Sequence, residues 1–158
     1  MNIPITISNG QTVSPYGKLV ELPSGEECTF YADHFRYWKQ QATLNIDGPV
    51  EVGVLQVKRN QLSFNQMERH DCSPELLIPL NGDFVLPVAM NTGPVPDLKN
   101  VQALHVKQGQ AVLLNPGCWH WMPHPLVDDI AILIIFKNNT SAEDLIIGDL
   151  SQDCYISE

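Results

Sequence analysis

Two acidic residues and two histidines fall at spacings that could build a metal centre. Glu68 and His70 are two positions apart, and Glu75 follows after a short turn. His120 comes later in the chain, after a glycine-containing stretch. Residues two apart on a strand point to the same face, so Glu68 and His70 would act together. Carboxylate and imidazole ligands suit manganese, iron, nickel, zinc or cobalt, while the shortage of sulfur argues against soft metals.

Each of these residues also has a structural interpretation. A lone Glu-x-His is more often a solvated strand end with a surface histidine, and only the joint spacing with Glu75 and His120 favours a site. Cys118 shares the strand phase of His120 and could approach a metal, although a buried, inert thiol is the preferred interpretation. Arg69 alternates to the other face and is expected to form a structural ion pair.

The composition is that of an acidic protein, without the cluster of basic residues that binding to nucleic acid requires. The 158 residues carry a net charge of −9, with nine Lys plus Arg and no basic cluster larger than Lys58-Arg59. No apolar run approaches the ~18 residues of a membrane span. The four cysteines lack a Cys-x-x-Cys pair, which favours free thiols in a reducing compartment. The start of the sequence has no secretory signal, so we expect a cytoplasmic location.

Short strands separated by turns predict an all-β fold, either a sandwich or a barrel. The strongest β stretch is Val50 to Val57. The even positions from Leu62 to His70 are expected to share one face. Asn81-Gly82-Asp83 between two apolar runs predicts a hairpin. Residues 130–136 are apolar on both faces and predict a fully buried strand.

Helical signals are few, and the predicted domain organisation is simple. Asp97 could cap a single helical turn, and Ser141 begins a helix-like stretch. No repeat or composition break divides the chain, so a single domain over residues 1–158 is predicted. Its barrel core is placed at about residues 42–137, with the N-terminal strands and the C-terminal tail packed on it.

The spacing of the candidate ligands resembles the cupin superfamily. The first cupin motif has a His-x-His pair, then four intervening residues before a Glu, and six more before a Gly. Here Glu68 stands for the first His, while Glu75 and Gly82 keep the spacing. The second motif runs Gly, five residues, Pro-x-Gly-x-x-His, and Asn115 stands for the Pro. The residues that keep this motif are Gly109, Gly117 and His120. The resemblance implies a single-domain cupin-like β-barrel, or jelly roll, with its open edges covered in a homodimer.

A narrower resemblance is to the ureidoglycolate lyase family, the cupins of allantoin degradation in purine catabolism. It covers roughly residues 14–137 and is strongest over residues 68–126. The stretches that carry it are Tyr16-Gly17, Glu68-Arg69-His70, Leu77-Ile78-Pro79-Leu80-x-Gly82, Phe84-Val85, Val88-Ala89, Pro96-Asp97-Leu98, Gly109 and Trp119-His120. The chain departs from the family pattern in an expanded segment from Trp119 to Leu126. It also has Glu75 where several relatives have Gln, which favours a metal site.

This resemblance implies a metal-assisted lyase that cleaves ureidoglycolate, a small 2-hydroxy acid ureide, to glyoxylate and urea. The divalent metal would be nickel, manganese, zinc or iron. Its implied ligands are His70, Glu75 and His120, with Glu68 either a fourth ligand or the catalytic base. His124 could act as the acid.

The substrate carboxylate also needs binding partners. Lys58 and Arg59 are candidate cations, and Trp119 is a candidate stacking surface, although Trp119 could instead pack a barrel rim. One cupin site supports many reactions. A sugar isomerase and a non-catalytic protein that binds a small acid are therefore alternatives to the lyase.

Overall fold

Two large β-sheets organise the chain in the computed structural model, which describes residues 1–24, 28–59 and 62–157. Strands account for 51% of the described residues and helices for 7%, so the predicted all-β class is confirmed. The strands are β1 (Asn2–Ile7), β2 (Gly17–Val20), β3 (Phe30–Ala32), β4 (Phe35–Tyr37), β5 (Val50–Lys58), β6 (Ser63–Arg69), β7 (Glu75–Pro79), β8 (Phe84–Ala89), β9 (Gln102–Val106), β10 (Ala111–Leu114), β11 (Trp119–His120), β12 (His124–Pro125), β13 (Asp129–Lys137) and β14 (Ile146–Ser157). The helices are α1 (Gly10–Val13) and α2 (Thr140–Glu143), with a 3-10 turn at Leu98–Asn100.

Six strands close into a ring of hydrogen-bonded neighbours, in the order β6, β14, β1, β9, β8 and β11. β11 completes the ring because His120 pairs with Glu68 of β6 on one side and with Val88 of β8 on the other. β1 and β14 lie near opposite ends of the chain, yet they are neighbours in this ring. The predicted core boundaries of 42–137 are therefore too narrow, since both ends supply barrel strands.

A second sheet has five strands, in the order β2, β10, β7, β13 and β5, and β3 pairs with β4 in a separate hairpin. The turn at residues 81–83 carries the chain from β7 in this sheet to β8 in the ring, so the predicted hairpin is wrong. Gly82 makes this crossing with a φ of +74°. A Cβ there would lie 2.6 Å from Cγ2 of Val127, so the position requires glycine.

β8 and β9 form the wall between two hydrophobic cores, because alternate residues of a strand point to opposite faces. Phe84, Leu86 and Val88 face the inter-sheet core, which lies between the ring and the five-stranded sheet. Val85 and Ala89 face the ring core, which fills the interior of the ring. A residue's position along this wall therefore decides which core it joins.

The predicted full burial of residues 130–136 is wrong. Ile130 and Ile132 are completely buried in the inter-sheet core. Leu133 and Ile135, on the outer face of β13, are only partly buried. The outer face of this sheet is therefore apolar without being fully covered.

The even positions of β6 do not share one face, contrary to the prediction. Phe64 packs in the ring core, while Glu68 faces the inter-sheet side. Met67 lies in the ring core with Phe64, so the alternation of β6 changes phase between these two residues. The pairing of β6 with β14 is irregular over the same stretch, where its register shifts between Asp149 and Cys154.

Both helical signals are confirmed. Asp97 caps the 3-10 turn, where its side chain accepts a hydrogen bond from the N–H of Lys99. α2 begins at Thr140, beside Ser141. Among the described residues, no helix is long and apolar enough to cross a membrane.

Candidate metal centre

The four candidate ligands meet at one end of the inter-sheet core, where they line a pocket of about 210 Å³. Glu68 lies near the end of β6, and His70 directly follows that strand. Glu75 begins β7, as predicted, and His120 ends β11. The remaining lining residues are Leu55, Leu77, Trp121, Met122, Pro123, Ile134, Phe136, Ser141 and Leu145.

Buried Glu75 lies at the centre of the group. Its Oε2 is 3.1 Å from Nε2 of His120 and 3.4 Å from Nε2 of His70. Oε1 of Glu68 lies 3.7 Å from the same nitrogen of His120, and the Glu68 side chain is 30% exposed. Donor atoms of Glu68, His70 and His120 all lie within 4.8 Å of one another. The structure thus brings together all four residues that the sequence pattern indicated.

Backbone carbonyls fix the direction in which both histidines face the pocket. Nδ1 of His70 lies 2.8 Å from the carbonyl oxygen of Asp144, and Nδ1 of His120 lies 3.0 Å from that of Cys118. Each Nδ1 therefore carries a proton and donates it to a carbonyl, because a carbonyl oxygen can only accept. Nε2 of each ring is left facing Glu75, which is the usual arrangement of metal-binding histidines.

Asp144 binds the turn between β6 and β7 through hydrogen bonds. It is absent from the predicted site residues. Its carboxylate accepts hydrogen bonds from the N–H groups of Asp71 at 3.0 Å and of Cys72 at 2.7 Å. Its carbonyl accepts the bond from His70, so one residue fixes both the ring and the backbone that carries it. The sequence signal was the helix start at Ser141. That signal places a helix end near Asp144 but does not reveal a contact 74 positions away.

Glu75 and His120 stabilise each other's charged forms. Burial alone would raise the pKa of Glu75, but His120 and His70 outweigh burial and hold that pKa below its usual value. Burial alone would lower the pKa of His120, but Glu75, followed by Glu68, raises it to about 9. A buried carboxylate needs a positive charge beside it. In the protein alone, the protonated imidazole supplies that charge.

The same atoms fit a divalent cation. Oε2 of Glu75 and Nε2 of His120 are buried and lie 3.1 Å apart, but their orientation is not that of a hydrogen bond, and neither atom has another hydrogen-bond partner among the described residues. A cation at the point where Glu75 meets the two Nε2 atoms would replace the proton of His120 as the counter-charge. His70, Glu75 and His120 could therefore hold a divalent metal, with Glu68 beside them.

Cys118 does not join this ligand set. Burial, with a further contribution from the charge of Glu75, raises the pKa of its thiol to about 12. Its Sγ donates to the carbonyl oxygens of Ala89 and Trp119. The thiol stays protonated, in agreement with the inert-thiol interpretation.

His124 lies on the other side of the barrel wall, and its predicted role as the acid is corrected. His120 pairs with Val88, whereas His124 pairs with Val85, so four steps along the chain match three steps along β8. This mismatch inverts the face to which His124 points. Its ring lies 6.1 Å from the ring of Phe64 in the ring core, away from the pocket.

Trp119 packs in the ring core and does not contact the pocket, so its predicted role in substrate binding is also corrected. It is fully buried, on the face opposite to that of His120. The guanidinium carbon of Arg69 lies 4.7 Å from the centroid of its ring. Arg69 also pairs with Asp71 at 3.1 Å, which matches the structural ion pair expected from the sequence.

Lys58 and Arg59, the predicted cations, lie outside the pocket lining. Lys58 lies opposite Asp129 in the strand register, at the ends of β5 and β13 that are remote from Phe136. Arg59 donates its backbone N–H to the carbonyl of Asp128. No lysine or arginine occurs among the described residues that line the pocket.

The segment that departs from the family pattern forms part of the pocket wall. Trp121, Met122 and Pro123 line the pocket directly after His120. The expansion of this segment was the available sequence signal for a changed pocket. The apolar side chains of this segment cover one part of the pocket wall, so the polar groups of the pocket are concentrated at the end that holds Glu75 and the two histidines.

Comparison with known proteins identifies one family. The family model described as ureidoglycolate lyase matches residues 3–154. A ureidoglycolate lyase of Azotobacter vinelandii is 24% identical over 130 residues, which cover 79% of this chain and 78% of that protein.

Solved structures with cupin folds are more distant. A sugar 3,4-ketoisomerase of Thermoanaerobacterium thermosaccharolyticum, in complex with TDP, aligns with a TM-score of 0.48 at 12% identity, over 61% of this chain and 64% of that one. The manganese-containing oxalate decarboxylase of Bacillus subtilis aligns with a TM-score of 0.42 at 13% identity, over 67% of this chain. The alignment spans 23% of the oxalate decarboxylase chain.

Proposed function

The chain belongs to the ureidoglycolate lyase family, and we propose that its pocket cleaves ureidoglycolate to glyoxylate and urea. The observation that carries this proposal is the meeting of His70, Glu75 and His120 at one buried point in a member of that family. The volume of about 210 Å³ suits a small acid better than a nucleotide sugar. The apolar lining would leave the substrate one polar end to bind.

The proposed reaction moves one proton within the substrate. The hydroxyl loses its proton as its C–O bond becomes a carbonyl, the C–N bond to urea breaks, and the leaving nitrogen gains a proton. We assign this transfer to Glu68, which is partly exposed and is not held between two histidines. Glu68 takes the proton as a base and returns it as an acid. A second acid, such as His124, is then unnecessary.

His70, Glu75 and His120 provide the binding end of the pocket. A divalent metal that they held would lower the pKa of the substrate hydroxyl and orient it. The carbonyls behind the two rings keep both Nε2 atoms in place. Phe136 contacts the ring of His70 edge-on, with centroids 6.0 Å apart, and so restricts its rotation. With such a metal in place, the substrate carboxylate would bind at this same end of the pocket.

Glyoxylate release from ureidoglycolate tests the proposal. The protein is stripped of metal, supplied in turn with nickel, manganese, zinc or iron, and assayed for glyoxylate. We expect release with at least one of these metals. Ureidoglycolate that binds and is recovered unchanged would indicate a binding protein. The absence of glyoxylate with every metal would contradict the lyase assignment.

A further inference from the structure

The pocket changes from polar to apolar within one step along β7. Glu75 and Leu77 lie two positions apart on this strand, so their side chains leave the same face. Leu77 is buried and lies directly opposite Ile134 of β13 in the strand register. Leu55 of β5 adjoins this pair, because its partner on β13 is Ile132. We call Leu55, Leu77 and Ile134 the apolar wall, since all three line the pocket.

The opening of the pocket is apolar as well. Met122 and Leu145 belong to the lining and are 48% and 43% exposed. Away from Glu75, Glu68 and the histidines, the polar side-chain groups of the described lining are the Ser141 hydroxyl and an indole N–H. A ligand that extends from the charged end toward solvent therefore meets mainly hydrocarbon.

Ureidoglycolate, bound as proposed above, would place polar groups at both of its ends. Its carboxylate and hydroxyl would lie beside Glu75 and the histidines, and its urea would extend away from them. The terminal NH2 lies about 3.8 Å from the carbon that carries the hydroxyl, since one amide unit separates the two. Two residues of a strand span about 6.6 Å, so this NH2 would lie between Glu75 and the apolar wall. Each buried N–H group left without a partner costs roughly tenfold in affinity.

We propose that the pocket prefers substrates in which an alkyl group replaces this terminal NH2, the 2-acylamino-2-hydroxyacetates, and cleaves them to glyoxylate and a carboxamide. The inference rests on the proposed function, because the reacting carbon and the proton transfer by Glu68 are the same. The O–H and C–N bonds break, while the C=O bond of glyoxylate and an N–H bond of the amide form. One proton moves from oxygen to nitrogen, and no oxidant, reductant or water is consumed. The alkyl group would lie on the apolar wall, where each buried CH2 is worth about fourfold in affinity.

A matched pair of substrates isolates the effect of polarity, because NH2 and CH3 are nearly equal in size. The metal-loaded protein is given ureidoglycolate, 2-acetylamino-2-hydroxyacetate or 2-butanoylamino-2-hydroxyacetate, and glyoxylate release gives kcat/KM for each. We expect the acetylamino compound to match or exceed ureidoglycolate. The butanoylamino compound has two more CH2 groups and should exceed the acetylamino compound by about tenfold or more.

Binding of compounds that cannot react gives the same comparison without turnover. N-carbamoylglycine, N-acetylglycine and N-butanoylglycine keep the carboxylate and the amide but lack the hydroxyl. We expect calorimetric titration of the metal-loaded protein to show that Kd falls in this order, with the largest step at N-butanoylglycine.

Met122→Gln tests the opening of the pocket, because glutamine has a similar length and adds an amide that can bind a urea. The ratio of kcat/KM for the butanoylamino compound to that for ureidoglycolate should fall several-fold in this variant. Met90→Gln is the matched control, since Met90 is 40% exposed and lies outside the pocket lining. The control should keep the wild-type ratio.

The possible failures are distinguishable. Suppose that ureidoglycolate is cleaved tenfold or more faster than the acetylamino compound, and N-carbamoylglycine binds more tightly than N-acetylglycine. The pocket would then hydrogen-bond the urea NH2, which would overturn this inference and leave the proposed function standing. The absence of glyoxylate from all three substrates with every metal would contradict the proposed function, and the inference with it.

Discussion

His120 and His124 lie along the same edge of β8 and are both buried, yet their environments are opposite. His120 faces Glu75 in the pocket, and that carboxylate raises its pKa to about 9. His124 faces the ring core beside Phe64, and burial lowers its pKa. The barrel wall thus separates a charged site from an apolar core. The face to which a histidine points, rather than its depth, decides what it can do.

The largest effect should come from removing the charge at the centre of the pocket. Glu75→Gln keeps the shape of the side chain but removes the anion between the two histidines. We expect the affinity for a divalent metal to fall by more than about 100-fold, since changes around a ligand alone cost up to that much. Calorimetric titration with metal measures it. An unchanged affinity would show that Glu75 is not a ligand.

Glu68→Gln should show whether Glu68, which also lies on the pocket side of the barrel wall, acts as the catalytic base or as a fourth metal ligand. If Glu68 transfers the proton, kcat should fall by about 10²–10⁴-fold while metal affinity stays within a few-fold of the wild type. Steady-state kinetics and metal titration on one preparation give both values. A parallel loss of metal affinity would reassign Glu68 as a fourth ligand.

Asp144→Ala should weaken the pocket without removing any group that contacts substrate. The variant loses the carboxylate that holds the N–H groups of Asp71 and Cys72, so His70 is less well placed. We expect metal affinity to fall by about 10-fold, with partial recovery in Asp144→Asn. Glu143→Ala is the neighbouring control. Equal affinity in all three variants would remove Asp144 from the support of the site.

The smallest effect should appear on the apolar side of the wall, as a pH dependence of stability. The pKa of His124 is lowered by burial, so the unfolded chain binds this proton more readily than the folded chain. The contribution of neutral His124 to stability is fully present above the pKa of a histidine in the unfolded chain, about 6.5. This contribution is lost as the pH falls from there toward the lower pKa of the folded state. We therefore expect His124→Leu to lose less stability than the wild type between neutral and mildly acidic pH.

Urea unfolding at several pH values measures this slope. His34→Ala, which changes an exposed histidine, is the control and should keep the wild-type slope. Identical slopes in all three proteins would mean that His124 does not titrate on unfolding.

Local spacing predicted the pocket well because its residues sit at strand ends. Glu68 and His70 share a face, Glu75 begins a strand, and His120 lies opposite Glu68. These relations follow from the two-residue repeat of a strand and from the motif spacing.

Two of the errors arise where register changes. The family resemblance implies a role for His124 in the pocket, but the step between Val88 and Val85 inverts its face. Phe64 was placed on the face of Glu68, but the pairing with β14 shifts between them. Such register shifts depend on how a strand pairs with another strand that is distant in the sequence. The alternation of residues within one strand therefore cannot reveal them. The contact of Asp144 with His70 is long-range for the same reason.

The central claim is that the chemistry belongs to the His120 side of the wall. The most direct test compares His120→Gln with His124→Gln in metal-stripped protein, by measuring glyoxylate release from ureidoglycolate as metal is added. We predict that the wild type and His124→Gln recover activity with metal, while His120→Gln does not. Thermal unfolding confirms that both variants are folded. Metal-dependent activity in His120→Gln, together with its loss in folded His124→Gln, would contradict the account.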